Sequence, residues 1–146
     1  MRVLISTLVL LSAAVLGGCS DDDHAARLRA AGPRPTLAAL LKVASVDAGA
    51  GKFGQCLACH SIGKGALDLA GPNLHGILGK PVGGASPNYG YTYALSAAGG
   101  RWDDARMDAW IAAPMRFAPG TKMTFAGVPD PLDRADIIAY LRTQAD

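Results

Sequence analysis

The sequence has little net charge and few aromatic residues. Its 14 lysine and arginine residues against 12 acidic ones leave a formal charge of +2. Residues 45–146 carry nine basic and nine acidic residues, which gives no indication of a basic face, and we expect no nucleic-acid partner. Aromatic residues make up 6%, whereas glycine and proline number 18 and 9 in 146 residues. A single small domain with so few core-forming residues commonly depends on a covalent staple or a bound cofactor.

The sequence also lacks an apolar run at its start long enough to span a membrane. The stretch Val3–Leu16 falls short of the ~20 residues required. With Met1-Arg2 before it and small residues after it, it is typical of a secretory signal peptide over residues 1–18. The tetrad Leu16-Gly17-Gly18-Cys19 resembles the bacterial lipobox, in which the cysteine is lipidated. An ordinary signal peptide with an incidental Cys19 and an uncleaved N-terminal anchor are the alternatives.

Each of these alternatives places the domain outside the cytoplasm. We expect it on the periplasmic side of a bacterial membrane, lipid-anchored through Cys19, or else soluble in the periplasm. Residues 19–44 are predicted to be the anchored tether, because residues 20–35 are polar and lack apolar periodicity. Residues 36–44 fit equally a short amphipathic helix and an ordered arm lying on the domain.

The remaining residues are predicted to form an all-α domain. No alternating apolar and polar pattern is long enough for a sheet. Capping signals predict three helices. The first begins at Ser45 or Asp47 and runs to about Ala58. The second begins at Asp103 and ends at Pro114, and the third begins at Asp130. The loops between them are long for so small a domain, so they must be organised around something.

One motif carries the chemistry. Cys56-Leu57-Ala58-Cys59-His60 has the haem-attachment pattern C-x-x-C-H, in which two thiols add to the haem vinyl groups and the imidazole reaches the iron. Cysteines three residues apart lie on one helical face, over one haem edge. A thioredoxin-like thiol pair would need a preceding strand. A zinc site would need a second ligand pair, and His24 and His75 stand alone.

From about Asp47 to Ala145 the sequence resembles the class I cytochromes c, of the mitochondrial and bacterial cytochrome c2 type. The resemblance implies an all-α cytochrome c fold with three to five helices around one covalent haem c, so that residues 45–146 become a haem domain. Gly71-Pro72-Asn73-Leu74-His75-Gly76 matches the loop whose proline carbonyl accepts a hydrogen bond from the axial histidine. Pro72 would thus fix the His60 imidazole through its Nδ1.

The resemblance also implies the sixth iron ligand. Pro119-Gly120-Thr121-Lys122-Met123 matches the segment that delivers a methionine sulfur, so Met123 is the predicted ligand and Thr121 a haem contact. Met115 is the rival, but it lies outside the matched segment. Met107 lies on the apolar face of a helix, where core packing is expected. His/Met ligation implies a relatively high reduction potential, because a thioether favours ferrous iron.

Further residues resemble those around a buried haem propionate. Tyr91-Thr92-Tyr93 and Trp102 match the hydroxyl and indole donors, and Tyr93 and Trp102 are the preferred candidates. Lys80 stands where the family often has an arginine near that propionate. Trp110 replaces a usual tyrosine, and core packing is the alternative role for each of these aromatic residues.

The resemblance implies an electron carrier rather than an enzyme, because both axial positions of the iron are expected to be filled. We expect a monomer that exchanges electrons with redox partner proteins: a donor such as the cytochrome bc1 complex and an acceptor such as a terminal oxidase. A cytochrome subunit of a periplasmic dehydrogenase is the alternative. A peroxidase or a gas sensor would need a labile Met123.

Overall fold

The structure is a computed structural model that describes residues 19–145, with side chains from residue 23 onward. The predicted signal peptide therefore lies outside the described residues, as does the Cys19 side chain. Seven helices are present in the described part. They are α1 (Cys19–Ala31), α2 (Leu37–Val43), α3 (Val46–Phe53), α4 (Tyr93–Ala97), α5 (Asp104–Ala112), α6 (Pro114–Phe117) and α7 (Pro131–Thr143).

The predicted helix starts are confirmed, and side-chain caps explain them. Ser45 accepts a hydrogen bond from the Ala48 N–H at the start of α3, and Asp103 accepts one from Arg106 at the start of α5. Asp130 accepts two at the start of α7, whose first residue is a proline. Between residues 19 and 145 the β-structure is limited to one isolated bridge, Pro81 to Arg101, so the all-α prediction is confirmed.

Two helix ends differ from the sequence prediction. The first domain helix ends at Phe53 rather than near Ala58, and the chain continues in turns through the cysteine motif. Glycine in a helix interior is unfavourable, and three glycines in this stretch weaken the helix. The region after Pro114, predicted to be a loop, begins with the single turn of α6.

The domain is held together where α3 crosses α7. A Cβ added to Gly49 would lie 2.0 Å from the Asp136 backbone oxygen, so only glycine allows this approach. The Phe53 and Tyr140 rings pack beside the crossing, with centroids 5.2 Å apart. The buried core extends from this crossing to α5 and its neighbouring loops.

Residues 19–44, called the N-terminal arm below, are ordered against the domain. Residues 20–35, predicted from their composition to belong to a tether, are largely helical, because α1 occupies most of this stretch. For residues 36–44 the two open alternatives hold together: α2 is a helix, and its buried Leu40 packs against Leu132 and Ala135 of α7. Among residues 19–145 no helix is both long and apolar enough to cross a bilayer.

Candidate functional site

A cavity of about 450 Å³ opens into the middle of the domain. Its walls come from α3, α4, α5 and α7 and from the loops that follow α3 and precede α4, α5 and α7. Its volume is typical of a cofactor or ligand pocket. Seven of the eight residues predicted to hold the cofactor line it: Cys56, Cys59, His60, Pro72, Trp102, Thr121 and Met123.

The two cysteines lie at one edge of the cavity. Cys56 is half-buried and Cys59 is exposed, and neither forms a disulfide. A tight turn brings them together, with the Cys59 and His60 N–H groups both donating to the Cys56 carbonyl oxygen. Burial raises the pKa of the Cys56 thiol to about 11, so it is protonated at neutral pH. Thiol-disulfide enzymes depend on a lowered pKa, which argues against a redox-active dithiol here.

The imidazole of His60 is fixed in one orientation and one tautomer. Its Nδ1 lies 2.7 Å from the Pro72 carbonyl oxygen, the contact that the family resemblance implied. A carbonyl oxygen can only accept, so Nδ1 carries the proton and Nε2 keeps a free lone pair. Burial lowers the pKa of His60, which keeps the ring neutral, although the Pro72 hydrogen bond opposes this. A neutral imidazole with a free Nε2 is the form that binds iron.

Gly71 is a site residue that sequence reasoning did not single out. A Cβ added there would lie 2.3 Å from His60 Cε1 and 2.6 Å from its Nδ1, so the ring packs directly on the glycine backbone. The Gly71 N–H also donates to the Cys59 carbonyl oxygen at 2.7 Å. The sequence feature that could have identified Gly71 is its position immediately before Pro72 in the matched loop.

Of the three methionines between residues 19 and 145, Met123 is the one whose position best suits a ligand to a metal held in the cavity. Met123 is half-buried and lines the cavity, and its N–H donates to the Thr121 hydroxyl oxygen at 3.4 Å. Met115 is 53% exposed and does not line the cavity. Met107 does line it, but its side chain is buried among the core residues of α5, as expected.

Next to Met123, Lys122 links two loops at the cavity wall. Its Nζ donates to the Gly90 carbonyl oxygen at 2.6 Å and lies 4.1 Å from the centroid of the Tyr89 ring. The Tyr89 hydroxyl in turn donates to the Ala70 carbonyl oxygen at 2.7 Å. The segment of Met123 is thereby connected to the segment that holds His60 in place.

Trp102 is buried and lines the cavity, as predicted. Its ring stacks on Phe117, with centroids 5.7 Å apart, and lies 5.7 Å from the ring of Trp110. Trp110 lines the cavity too. The two tryptophans therefore have both the packing role and access to a cofactor.

The structure does not bring Tyr93 into the cavity, so its contact with the cofactor stays a prediction. Tyr93 is 88% exposed and lies outside the cavity, because Thr92 caps α4 and the next residue begins the helix on its outer side. Tyr91 lines the cavity instead. Its hydroxyl oxygen accepts from the Ser86 N–H at 3.0 Å, which leaves its proton free to donate. Burial raises the pKa of Tyr91, so the hydroxyl stays a donor.

Two other residues of the matched segments also lie outside the cavity. Lys80 donates from Nζ to the His75 carbonyl oxygen at 3.0 Å, and neither residue lines the cavity. Lys80 lines a separate recess with Asp68 and Asn73. The structure therefore gives no support to a Lys80 contact with a propionate in the main cavity.

Comparison with known proteins identifies the kind of site. No protein-family model matches the chain, but individual proteins do. A cytochrome c2 of Rhodoblastus acidophilus is 44% identical over 95 residues, which is 65% of this chain and 88% of that protein. The chain belongs to the cytochrome c family. The solved structure of cytochrome cH from Methylobacterium extorquens has 40% identity and a TM-score of 0.63, and covers 68% of this chain and 98% of its own.

Longer relatives match as well. A cytochrome c homolog of Rickettsia bellii is 43% identical over 104 residues, and one of Bradyrhizobium diazoefficiens is 40% identical over 107. The match covers 60% and 58% of those two proteins. This chain thus spans less than two thirds of their length.

The cofactor of this family, a covalent haem c, fits the residues present. Two thiols lie at one edge of the cavity, a neutral imidazole has a free Nε2, and a thioether lines the same space. Gly71 leaves room for the His60 imidazole at the cavity wall only because glycine lacks a Cβ. Cys56 and Cys59 would form the two thioether bonds, and Tyr91 and Trp102 are among the hydrogen-bond donors that line the cavity.

Proposed function

We propose that this protein is a one-electron carrier whose haem iron is held by His60 and Met123. The observation that carries the proposal is that both side chains line one cavity, whose edge bears the two cysteines of the attachment motif. The Pro72 hydrogen bond supports His60 as a permanent ligand, because it fixes the ring and raises its basicity.

A carrier, rather than an enzyme, follows from filled axial positions. When bound, a haem c supplies a reversible one-electron couple between ferric and ferrous iron. With haem bound, His60 and Met123 would leave the iron no open position for a substrate, and the buried core residues of α3, α5 and α7 would surround it with apolar side chains. A thioether ligand favours the ferrous state, so we expect a high potential.

We further propose that the carrier works on the periplasmic side of a membrane, anchored by a lipid on Cys19. The support is the signal-like segment 1–18 and the lipobox-like tetrad that ends in Cys19. Its electron donor would be a membrane complex such as cytochrome bc1 and its acceptor a terminal oxidase, which suits a high-potential carrier.

Replacement of single methionines tests the proposed ligand. The ferric protein should show the weak long-wavelength absorption of an iron–thioether bond. Met123→Ala should remove this band, lower the potential and open the ferrous iron to carbon monoxide. The matched control is Met115→Ala, which should leave all three properties intact because Met115 is exposed. If Met115→Ala removes the band and Met123→Ala does not, the proposed ligation is wrong.

A further inference from the structure

A buried ion pair joins the N-terminal arm to the last helix. The carboxylate of Asp136 in α7 is 0% exposed. Arg27 of α1 donates to both of its oxygens, from Nη1 to Oδ1 at 2.6 Å and from Nη2 to Oδ2 at 3.1 Å. The Ser45 N–H donates to Oδ1 at 2.7 Å. This two-pronged geometry is the strongest that an arginine and a carboxylate can form.

Arg27 also ties the arm to itself. Its Nη1 lies 3.3 Å from the Val43 carbonyl oxygen, at the end of α2, and its Nε donates to Asp23 at 3.0 Å. With only 15% of its side chain exposed, the guanidinium is largely shielded from water. One side chain thus connects α1, the end of α2 and α7.

Side chains of α1 reach α7 at successive turns of both helices. His24 lies near the first turn of α7, with its Nε2 3.4 Å from an Asp130 oxygen and 3.5 Å from an Asp133 oxygen. One turn further along α1, Arg27 meets Asp136. Leu28 and Ala31 then complete a small apolar cluster with the buried residues of α2 and α7, Leu40, Leu132 and Ala135.

The arm and the haem cavity use different faces of α7. Leu132, Ala135 and Asp136 face the arm, whereas Ile137 and Leu141 line the cavity. The docked arm therefore leaves the cavity uncovered. It fixes where the N-terminal end of the chain leaves the domain, relative to that cavity.

We propose that Arg27 locks the N-terminal arm onto α7, so that the attachment point at residue 19 is held in a fixed position relative to the haem. A flexible chain of the arm's 26 residues would let the domain wander by about 28 Å. The lock replaces that freedom with one orientation, which fits a partner held in the same membrane. This consequence rests on the proposed anchoring at Cys19, but the lock itself does not.

Hydrogen exchange of the full-length holoprotein tests the lock. In Arg27→Ala the Asp136 carboxylate loses its charged partner and keeps only the Ser45 N–H, and it regains hydration only if the arm opens. We expect exchange of amides in 23–31 and 37–43 to quicken by about a hundredfold, while the haem spectrum stays unchanged. The matched control is Arg29→Ala, which removes an exposed arginine of the same helix and should leave exchange as in wild type.

A double variant guards against a general loss of folding. Asp136→Asn alone should also quicken arm exchange, and Arg27→Ala with Asp136→Asn should exchange much more slowly than the product of the two single effects predicts, because both changes break the same pair. If Arg27→Ala exchanges like Arg29→Ala, Arg27 is not a lock. If the effects of Arg27→Ala and Asp136→Asn multiply in the double variant, the two side chains act independently, and the ion pair as the lock is equally overturned.

A distance measurement tests the fixed orientation. A nitroxide attached to Ala26→Cys, an exposed position of α1, in a Cys19→Ala background should give one narrow distance to the ferric haem iron in pulsed EPR. Adding Arg27→Ala should broaden the distribution. A broad distribution with Arg27 intact would refute the docked arm. Failure of the proposed lipid anchoring would appear separately. The Cys19→Ala protein would then stay bound to the membrane, while the amides of its arm would still be protected from exchange.

Discussion

Gly71→Ala is the most direct perturbation of the axial histidine, because the added methyl group points into the His60 ring. The Cβ would lie 2.3 Å from Cε1, more than 1 Å inside ordinary contact distance. Gly71 is buried, and its backbone is tied to Cys59, so the ring must move. A shift of about 1 Å lengthens the 2.7 Å contact between His60 and Pro72 beyond hydrogen-bond range.

The magnitude follows from two losses. Leaving a buried carbonyl without its donor costs about 1–3 kcal/mol, and forcing a methyl group into packed space costs about 1–3 kcal/mol more. The free energy of unfolding should fall by about 2–6 kcal/mol, which lowers the melting temperature by about 8 °C or more. Weaker fixing of the imidazole should also change the reduction potential.

Thermal melting of the holoprotein, followed by the haem absorbance, measures the effect. The matched control is Gly51→Ala, a helical glycine whose added Cβ would meet nothing within 4 Å. That control should melt at the wild-type temperature or slightly above, because alanine favours the helix by up to about 1 kcal/mol. A Gly71→Ala holoprotein with the wild-type melting temperature and potential would refute the packing argument.

Two further predictions concern the proposed anchor at Cys19 and the cap of the last helix. Cys19→Ala should move the holoprotein from the membrane to the soluble periplasmic fraction, with its redox potential unchanged; retention in the membrane would contradict a lipid on that thiol. At the start of α7, burial alone would raise the pKa of Asp130, but the N–H groups of Asp133 and Leu132 lower it below its usual range. The charged form therefore stabilises the fold above the ordinary aspartate range, and this contribution is lost as the pH falls through the lowered pKa. Wild type should exceed Asp130→Asn in unfolding free energy by about 0.5 kcal/mol at pH 7, and in thermal melts this difference should shrink as the pH falls below the ordinary aspartate range, because both residues cap a helix equally well. A difference independent of pH would contradict this.

The parts of the structure that follow local rules could be predicted from the sequence. Ser45, Asp103 and Asp130 mark helix starts because each side chain caps N–H groups two or three residues away. The cysteine motif and the segment ending in Met123 are also local, and the structure brings both to one cavity. Such features need no knowledge of distant residues.

The parts that depend on distant residues could not be predicted. α1 has no apolar periodicity, and it docks through Arg27 to a carboxylate 109 residues away. The choice between Tyr91 and Tyr93 depends on where α4 begins, and the start at Tyr93 turns that ring outward. The orientation of the Lys80 side chain depends on its hydrogen bond to the His75 carbonyl oxygen, which its place in the matched segment does not reveal.

The scarcity of core-forming residues in the sequence has its explanation in the position of the cavity. Of the thirteen buried residues in the main core cluster, nine also line the cavity: Phe53, Ile77, Leu95, Trp102, Met107, Trp110, Ile111, Ile137 and Leu141. The protein core is therefore a shell around a cofactor. An unfilled space of this size leaves much of the core without apolar contacts on one side, so we expect bound haem to stabilise the fold as well as to carry the electron. Attachment through Cys56 and Cys59, as proposed, would keep so large a part of the core from dissociating.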